Sequence, residues 1–287
     1  TTLVSSTLSS NPFIRVYPFG KILSEKFETK IIGPVNSNGI YEPLKNENWN
    51  ISSVKENKLF PFYLKTLYNI YRKSDSDIVH AFKPKIYSYG TGLLLKLLKN
   101  KKLILDIDDW ESQYVLDNYF SFNPVDLFKF CLVDFYTPES YFSKKILEKL
   151  RNYSDRIIVD AIVLQKKFGG IYIPSGADTD LFDPEKYNPK KIRDQYNIEK
   201  DDILISFTGT PRKHKGILEL IQAVESARKT NENIKLMIVG ASKDNPFAKE
   251  LRKKEGIIVE NYQPHNKIAQ YISAADIIAL PLKNNPS

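Results

Sequence analysis

Apolar runs alternate along the chain with segments whose apolar residues recur at helical spacing. Several runs are apolar at consecutive rather than alternate positions, which is typical of strands in a parallel sheet covered by helices on both faces. Ten runs predict strands, at 2–6, 29–35, 77–82, 102–108, 156–160, 170–176, 203–209, 235–241, 256–262 and 276–282. Five segments between them predict helices, at 15–27, 90–100, 139–152, 215–230 and 265–275. This alternation indicates a doubly wound α/β protein.

The number of strands also predicts how the chain is divided. Ten strands are more than one sheet of a chain of this size usually holds, so we predict two Rossmann-like domains. The polar segment 179–202 carries two prolines and precedes the strand that begins at Ile203. We place the junction near Asp183, giving domains at 1–183 and 184–287. The chain opens on the strand-like TTLVSS and stops at LPLKNNPS, so we expect the biological chain to be longer.

Composition narrows the class of protein. The 287 residues are 42% hydrophobic and 26% charged, which is ordinary for a folded globular protein. A formal net charge of +8 favours anionic partners. The one cysteine, Cys131, lies in an apolar run, so we expect a buried structural thiol in a reducing, intracellular setting. No apolar run approaches the roughly 20 residues that span a bilayer, and three histidines with one cysteine do not make an ordinary zinc cluster.

One region combines positive charge with aromatic residues. Between Lys55 and Lys102 there are 11 basic and three acidic residues, and FPFYLKTLYNIYRK spaces aromatic residues and leucines near the helical period. One interpretation is a helix lying on a membrane surface; the other is an ordinary helix with its aromatic residues in the core and its lysines in water. The phenylalanine-rich segment 123–142 also has several interpretations: a lid, a dimer face, a membrane-contact helix or a buried helical hairpin.

The segment FTGTPRKHKG, residues 207–216, is the most informative for function. It follows an apolar strand and precedes an amphipathic helix, so it is a strand-to-helix loop at the carboxyl edge of a parallel sheet, where ligands bind in such folds. The helix N-terminus supplies backbone N–H donors and a positive dipole end, and Arg212 and Lys215 add two full charges. This predicts a diphosphate site, with a solvated loop as the alternative. No Lys-Ser/Thr pair follows the second glycine, so it is not a Walker loop.

The same segment, extended to FTGTPRKHKGILELIQAV, resembles the motif that opens the C-terminal domain of GT-B glycosyltransferases of family 4. Three further stretches occur in the family's order: SDRIIVDAIVLQKKFGGIYIPSGADTDLFDP, IKLMIVGAS and IIVENYQPHNKIAQYISAADIIALPL. The likeness covers residues 154–287, and DIVHAFKPKIYSYGTGLLLKLLKNKKLILDIDDWES resembles the family's central strand–helix–strand in the N-terminal half. The resemblance implies a GT-B fold, with two Rossmann-like domains facing across a cleft.

The resemblance also implies an activity. It is a retaining, metal-independent transfer of a sugar from a UDP-, GDP- or ADP-linked donor, bound by the C-terminal domain, to an acceptor hydroxyl at the N-terminal domain. Lys215 falls on the family lysine that holds the leaving diphosphate, and Arg212 is the candidate for its arginine partner. Such cations stabilise the charge that develops on the β-phosphate as the sugar–phosphate bond breaks. The positions that match the donor pocket are Gly209, Thr210, Gly240, Ala241, Tyr262 and Gln263.

The chain departs from the family's pattern in three places. Many members have arginine directly after the strand-end glycine, where this chain has Thr210. The first loop lacks the family's glycine pair; there we expect Ser9, Ser10 or Asn11 to cap the following helix and Arg15 to face the cleft, with Ser10, Asn11 and Arg15 on the acceptor side. The glutamate pair that contacts the donor in the family lies beyond Ser287, the last residue given.

The stretch LDIDDWES allows three interpretations. Asp106 and Asp108 match the D-x-D signature by which GT-A glycosyltransferases hold a divalent metal, so a metal-dependent transferase is one alternative. In the GT-B interpretation, Asp109 is the catalytic candidate at the cleft floor, Asp108 lies beside it toward the donor sugar, and His80 joins the donor site from the end of its own strand. The third interpretation is structural: the aspartates cap the next turn and His80 is held by a hydrogen bond.

Other functions stay open beside the transferase. One is a non-catalytic nucleotide-binding module of the same architecture. Another is nucleic-acid binding, prompted by the net charge but disfavoured because the basic residues are scattered and no recognition motif is present. We expect a nucleotide-sugar as substrate, no cofactor or metal, a glycan or lipid-linked acceptor, and a cytoplasmic protein for which peripheral contact with the inner face of the membrane is an open alternative.

Overall fold

The structure is a computed structural model that describes residues 1–45, 50–119, 136–212, 215–242 and 246–282, without the side chains of 117–119. Its contacts divide the chain after Ala177, whereas the sequence-based junction is near Asp183. Unit 1 contains the described residues of 1–41 and 50–177, and unit 2 those of 42–45 and 178–282. The predictions about Cys131 and about most of the segment 123–142 lie outside the described residues.

Unit 1 is built on a parallel sheet of seven strands in the order β3-β2-β1-β4-β5-β6-β7. The strands are β1 (Thr2–Val4), β2 (Lys30–Val35), β3 (Ile51–Lys55), β4 (Ile78–Phe82), β5 (Lys102–Ile107), β6 (Arg156–Val159) and β7 (Ile171–Tyr172). Sequence analysis missed β3 because ISSVK has only two apolar residues. At the edge of the sheet, where β3 pairs only with β2, so polar a strand is tolerated.

Helices cover both faces of this sheet. They are α1 (Pro12–Ser24), α2 (Tyr63–Lys73), α3 (Thr91–Lys99), α4 (Glu111–Tyr119), α5 (Tyr141–Lys149) and α6 (Ile162–Phe168). A π-helical turn at Ile86–Gly90 precedes α3.

Strand β4 shows which helix lies on which face, because successive side chains of a strand point to opposite faces. Val79 and Ala81 belong to a core cluster with Ile70 of α2 and Leu95 of α3. The rings of His80 and Phe82 instead contact Phe19 of α1, at 5.0 and 5.4 Å between centroids. Helix α1 therefore packs on one face of the sheet, and α2 and α3 on the other.

Unit 2 repeats the architecture on a smaller scale, with four parallel strands in the order β10-β9-β8-β11. The strands are β8 (Ile203–Thr208), β9 (Ile234–Ala241), β10 (Ile257–Asn261) and β11 (Ile277–Ile278). The helices are α7 (Pro189–Gln195), α8 (Ile217–Arg228), α9 (Pro246–Leu251) and α10 (His265–Ser273).

Strand β9 divides the core of unit 2 in the same alternating way. Leu236 and Ile238 cluster with α8 and α9, whereas Met237 and Val239 cluster with α7 and α10. A slip of one residue along β9 would exchange these two sets, so the apolar pattern fixes the register. Two parallel sheets, each with helices on both faces, confirm the predicted α/β fold class.

Candidate functional site

Two glycine turns meet at the carboxyl edge of the unit 2 sheet, directly after β8 and within the end of β9. Gly209 and Gly240 have φ of +141° and +110°, a region that favours glycine. The N–H of Gly209 donates to Val239 O at 2.7 Å, and a Cβ on Gly240 would lie 3.0 Å from the carbonyl carbon and oxygen of Gly209. Only glycine allows this close approach of the two turns.

Lys215 lies beside the first of these glycines. The Nζ atom of Lys215 is 3.7 Å from the position that a Cβ on Gly209 would take. The backbone N–H of Lys215 donates to Arg212 O at 3.0 Å. The following residue, Gly216, has φ of +71° and precedes α8. A Cβ there would lie 1.8 Å from Pro281 O, so glycine is required. The ammonium group of Lys215 and the first turn of α8 are therefore held at one loop.

The charge of Lys215 is not neutralised by the described part of unit 2. Partial burial lowers the pKa of its ammonium from the usual 10.5, and the guanidinium of Arg212 lowers the pKa further. Among the described residues no carboxylate raises it in compensation. Both effects disfavour the charged form of Lys215, whereas an anion beside the ammonium would favour it. With the dipole of α8, this is an arrangement that favours a phosphate group.

The loop after β10 joins this site. Oγ1 of Thr210 lies 3.2 Å from the hydroxyl of Tyr262, and the N–H of Tyr262 donates to Ala241 O at 3.0 Å. Gln263 points elsewhere, because its amide donates to Glu260 Oε1 at 3.0 Å. Arg212 is exposed at the surface of the loop. The predicted residues that the structure brings together are Gly209, Thr210, Lys215, Gly240, Ala241 and Tyr262.

In unit 1, Asp106 is an internal ion-pair partner. It is 1% exposed at the end of β5, and Arg15 of α1 donates from Nε and Nη2 to its two oxygens at 3.2 and 3.3 Å. Nε2 of His80 lies 3.5 Å from Oδ2 of Asp106, and Phe19 and Phe82 enclose its ring. Arg15, predicted to face a cleft, is buried instead, because a buried carboxylate is stable only with a cation beside it.

This pairing bears on the D-x-D interpretation. Asp106 is paired with Arg15, and Oδ1 of Asp108 lies 3.0 Å from Nζ of Lys83. A divalent cation would have to displace both of these groups from their carboxylates. Across the described ranges, no group of three or more His, Cys, Asp or Glu side chains is placed to hold a metal ion.

A buried lysine missed by the sequence analysis organises the carboxyl edge of unit 1. Lys83 directly follows β4 with φ of +72°, and its side chain is 5% exposed. Its Nζ donates to Asp109 and to Glu111 Oε1, the latter at 3.0 Å, and also forms the ion pair with Asp108. The signal lay in the sequence: FKPK follows one strand and DDWE the next. Neighbouring parallel strands bring their carboxyl ends to one edge, so these groups meet.

The network extends to α5. Lys85 lies 3.4 Å from Glu111 and 2.8 Å from Glu139, and Lys144 lies 3.6 and 3.1 Å from the same two carboxylates. Although burial alone would raise the pKa of Glu111, the three lysines Lys83, Lys85 and Lys144 hold it at about 2. Burial alone would likewise lower the pKa of Lys83, yet its carboxylates hold that pKa well above 10.5.

The two aspartates proposed from sequence differ in their surroundings. Burial raises the pKa of Asp108 to about 6 despite Lys83. Asp109 has a side chain that is 57% exposed, so it is the one of these two aspartates that faces solvent. At the start of α1, Ser10 is exposed, and Asn11 occupies the N-cap position without a side-chain cap hydrogen bond. Instead the carbonyl of Ser10 accepts from Phe13 N at 3.0 Å, and Pro12 at the first helical position needs no N–H partner.

Comparisons with known proteins bear on unit 2 first. Residues 188–286 match the family glycosyl transferases group 1. Over 114 residues, 40% of this chain, the sequence is 30% identical to a Bacillus subtilis (strain 168) protein named as the teichuronic acid biosynthesis glycosyltransferase TuaC. The match spans 28% of that relative's length.

Solved structures of the same fold cover nearly the whole chain. Anabaena HepE, crystallised with UDP and glucose, has a TM-score of 0.67 at 14% identity, over 97% of this chain and 73% of that one. The catalytic domain of starch synthase IV from Arabidopsis thaliana, bound to ADP and acarbose, has a TM-score of 0.58 at 10% identity, over 98% and 77%. Identities this low establish the fold alone. Together the comparisons confirm the resemblance to GT-B glycosyltransferases, with a glycosyl transferases group 1 region at residues 188–286.

Proposed function

We propose that this protein transfers a sugar from a nucleotide diphosphate donor to an acceptor hydroxyl, with retention of configuration and without a metal ion. The match of residues 188–286 to glycosyl transferases group 1 supports the reaction class. The nucleotides bound by structures of the same fold, UDP and ADP, support a nucleotide-sugar donor.

The observation that carries the proposal is the unneutralised Lys215 beside the glycine turns of unit 2. In the reaction, the bond between the sugar's anomeric carbon and the β-phosphate oxygen breaks, and the acceptor oxygen forms the new bond. The acceptor proton leaves with the nucleoside diphosphate, which gains negative charge as the bond breaks. Lys215 stabilises that charge directly, the N-terminus of α8 adds its N–H groups, and Arg212 contributes from the exposed side of the loop.

Tyr262 and the main chain of Gly240 and Ala241 are proposed to line the nucleotide. Two contacts support this: Tyr262 lies against Thr210 through its hydroxyl, and its backbone N–H donates to Ala241 O. Gln263 requires release from Glu260 before it can contact a ligand.

For unit 1 we propose Asp109 as the carboxylate that acts toward the sugar, because it is the exposed aspartate at the carboxyl edge of β5. Asp108 supports it through their shared Lys83. His80 and Arg15, which hold Asp106, stabilise this edge from inside the unit. The acceptor is proposed to be a glycan or a lipid-linked glycan, and the protein to act in the cytoplasm. The name of its relative TuaC, a glycosyltransferase of teichuronic acid biosynthesis, supports a biosynthetic sugar transfer.

The test is a thermal-shift panel of UDP-, GDP- and ADP-sugars followed by binding and turnover of the best donor. A donor that binds the folded state raises its apparent stability. Lys215→Ala should lower donor affinity by at least about tenfold and turnover by about a hundredfold, since it removes a fixed cation at the developing charge. Lys229→Ala is the matched control, because Lys229 is an exposed lysine at the opposite end of α8.

Three results would contradict the proposal in different ways. No stabilisation by any nucleotide-sugar, or equal losses in the two lysine variants, would remove the donor site. Donor binding without transfer or release of the free nucleoside diphosphate would leave a non-catalytic nucleotide-binding module. Loss of turnover on adding a chelator, restored by a divalent cation, would favour the metal-dependent alternative through Asp106 and Asp108.

A further inference from the structure

Helix α2 and the loop before it have two separate apolar faces. The inner face serves the core: Ile70 is buried, and Tyr63, Leu67 and Tyr71 pack against the core cluster of unit 1. The outer face is not used by the core. Five large apolar side chains there are 45% to 64% exposed: Leu59, Phe60, Phe62, Leu64 and Tyr68. We call these five residues the outer apolar patch. The inner face therefore fits the interpretation of an ordinary helix with its aromatic residues in the core, and the outer face is the part to which the membrane-surface interpretation could refer.

The segment that carries the outer apolar patch is rich in exposed cations. Residues 55–73 contain five basic residues, all exposed, at Lys55, Lys58, Lys65, Arg72 and Lys73. The one acidic residue of this segment, Glu56, has a side chain that is only 12% exposed and lies 3.7 Å from Lys58. The exposed charged side chains of the segment that carries the outer apolar patch are therefore all positive.

We propose that the outer apolar patch docks on the surface of an anionic phospholipid bilayer. Phenylalanine, leucine and tyrosine side chains on one face of a helix enter the boundary between headgroups and acyl chains, and cations beside them contact lipid phosphates. No helix among the described residues is long and apolar enough to cross a membrane. A second copy of the chain is the poorer occupant, because a two-fold dimer would set this positive patch against itself.

Exposure of apolar residues alone does not single out this surface. On α1 and directly after it, Ile22 and Phe27 are 63% and 56% exposed. They lie with α1 on the opposite face of the sheet, and the segment 21–28 carries two lysines and two glutamates, so its charges cancel. What distinguishes the outer apolar patch from the α1 pair is the excess of positive charge in its segment, five basic residues against one acidic residue. The α1 pair is therefore a control of the same apolar character without that charge.

The experiment is cosedimentation of the purified protein with two kinds of vesicle, phosphatidylcholine alone and phosphatidylcholine with about a third phosphatidylglycerol. Wild type should bind the anionic vesicles, more weakly as salt is raised, and bind the neutral ones poorly. Phe62→Ser/Leu64→Ser should weaken this binding by at least about tenfold, since two inserting side chains are lost. Lys65→Gln/Arg72→Gln should also weaken it and should flatten its salt dependence. Ile22→Ser/Phe27→Ser should bind as wild type does.

The outcomes separate the proposal from its rivals. Equal binding by the α2 and α1 variants, or no preference for anionic lipid, would overturn it. Concentration-dependent self-association that is lost in Phe62→Ser/Leu64→Ser, with no binding to vesicles, would identify a second copy as the occupant instead. Circular dichroism of each variant checks that the fold is retained. None of these results depends on sugar transfer, so the proposed function and this surface stand or fall separately.

Discussion

The carboxyl edges of the two parallel sheets use their lysines in opposite ways. In unit 1, Lys83 is matched by three carboxylates, which hold its pKa well above 10.5 even though burial would lower it. In unit 2, burial and Arg212 lower the pKa of Lys215, and no described carboxylate compensates. The same architecture therefore yields one edge that neutralises its own charge and one that retains positive charge for a ligand.

The two carboxyl edges also differ in which residues occupy their positive-φ backbone positions. At its carboxyl edge unit 2 has glycines at positive φ, Gly209, Gly216 and Gly240, where the backbone turns pack closely. Unit 1 places a lysine, Lys83, in the left-handed region, which is unfavourable by roughly 1–2 kcal/mol for a residue with a Cβ. Its three carboxylate contacts offset that cost. One edge consequently balances its own charge, and the other keeps the positive charge on which the proposed diphosphate site depends.

The largest expected effect tests whether the unit 1 edge depends on its charge balance. Glu111→Gln should destabilise unit 1 by about 3 kcal/mol at neutral pH, because it removes the one carboxylate that contacts all three buried lysines, Lys83, Lys85 and Lys144. Urea denaturation measures the loss. Glu225→Gln is the control: Glu225 is exposed and pairs with Lys254 at 2.9 Å, so its loss should amount to no more than about 1 kcal/mol. Similar losses in the two variants would refute the charge-balance argument.

The pH dependence of the same residue has a defined sign. The pKa of Glu111 is lowered from 4.5 to about 2 in the folded protein, so its stabilising contribution is fully present above about pH 4.5. It is lost as pH falls from there toward about 2. Denaturation at a series of acid pH values should therefore show a steeper loss of stability in wild type than in Glu111→Gln.

A smaller effect is expected from adding a side-chain atom at the glycine turns of unit 2. Gly240→Ala places a Cβ 3.0 Å from Gly209 at a φ of +110°, which should destabilise unit 2 by about 1–3 kcal/mol and weaken donor binding. Gly39→Ala is the matched control, since Gly39 also has positive φ, +74°, but nothing lies within 4 Å of its Cβ position. Donor titration and denaturation report the two effects. Unchanged donor affinity in Gly240→Ala would argue against a ligand at this turn.

The smallest effect is expected at Asp108. Burial has raised its pKa from 3.8 to about 6, so its ionised form at neutral pH is unfavourable in the fold, and this unfavourable contribution develops as pH rises from about 3.8 to about 6 and is complete above that. Asp108→Asn should change the free energy of unfolding by no more than about 1 kcal/mol at neutral pH, or raise it slightly. A loss as large as that of Glu111→Gln would show that the two carboxylates are equivalent, contrary to the structure.

Sequence analysis found the elements whose signals are local. All ten predicted strands have a strand at their place, and the loop with Gly209 and Lys215 lies at a strand end and a helix start as expected. It failed where partners are distant. Arg15 is predicted to face the cleft on the acceptor side, but its partner Asp106 is 91 residues away in the sequence. Nothing in the sequence of α1 around Arg15 indicates that contact. Lys83 was overlooked because its three carboxylates come from the loop after another strand and from α4.

The sequence by itself determined the α/β alternation, the strand-end glycines and the cations of the loop before α8. These depend on residues within one strand, turn or helix, where spacing along the chain equals spacing in the structure. The tertiary structure decided which charges are neutralised and which apolar residues stay exposed. The order of the strands and the packing of α2 bring together groups that are far apart in sequence. For the same reason only the folded chain shows that Lys83 is enclosed by carboxylates while Lys215 is left with an unneutralised charge.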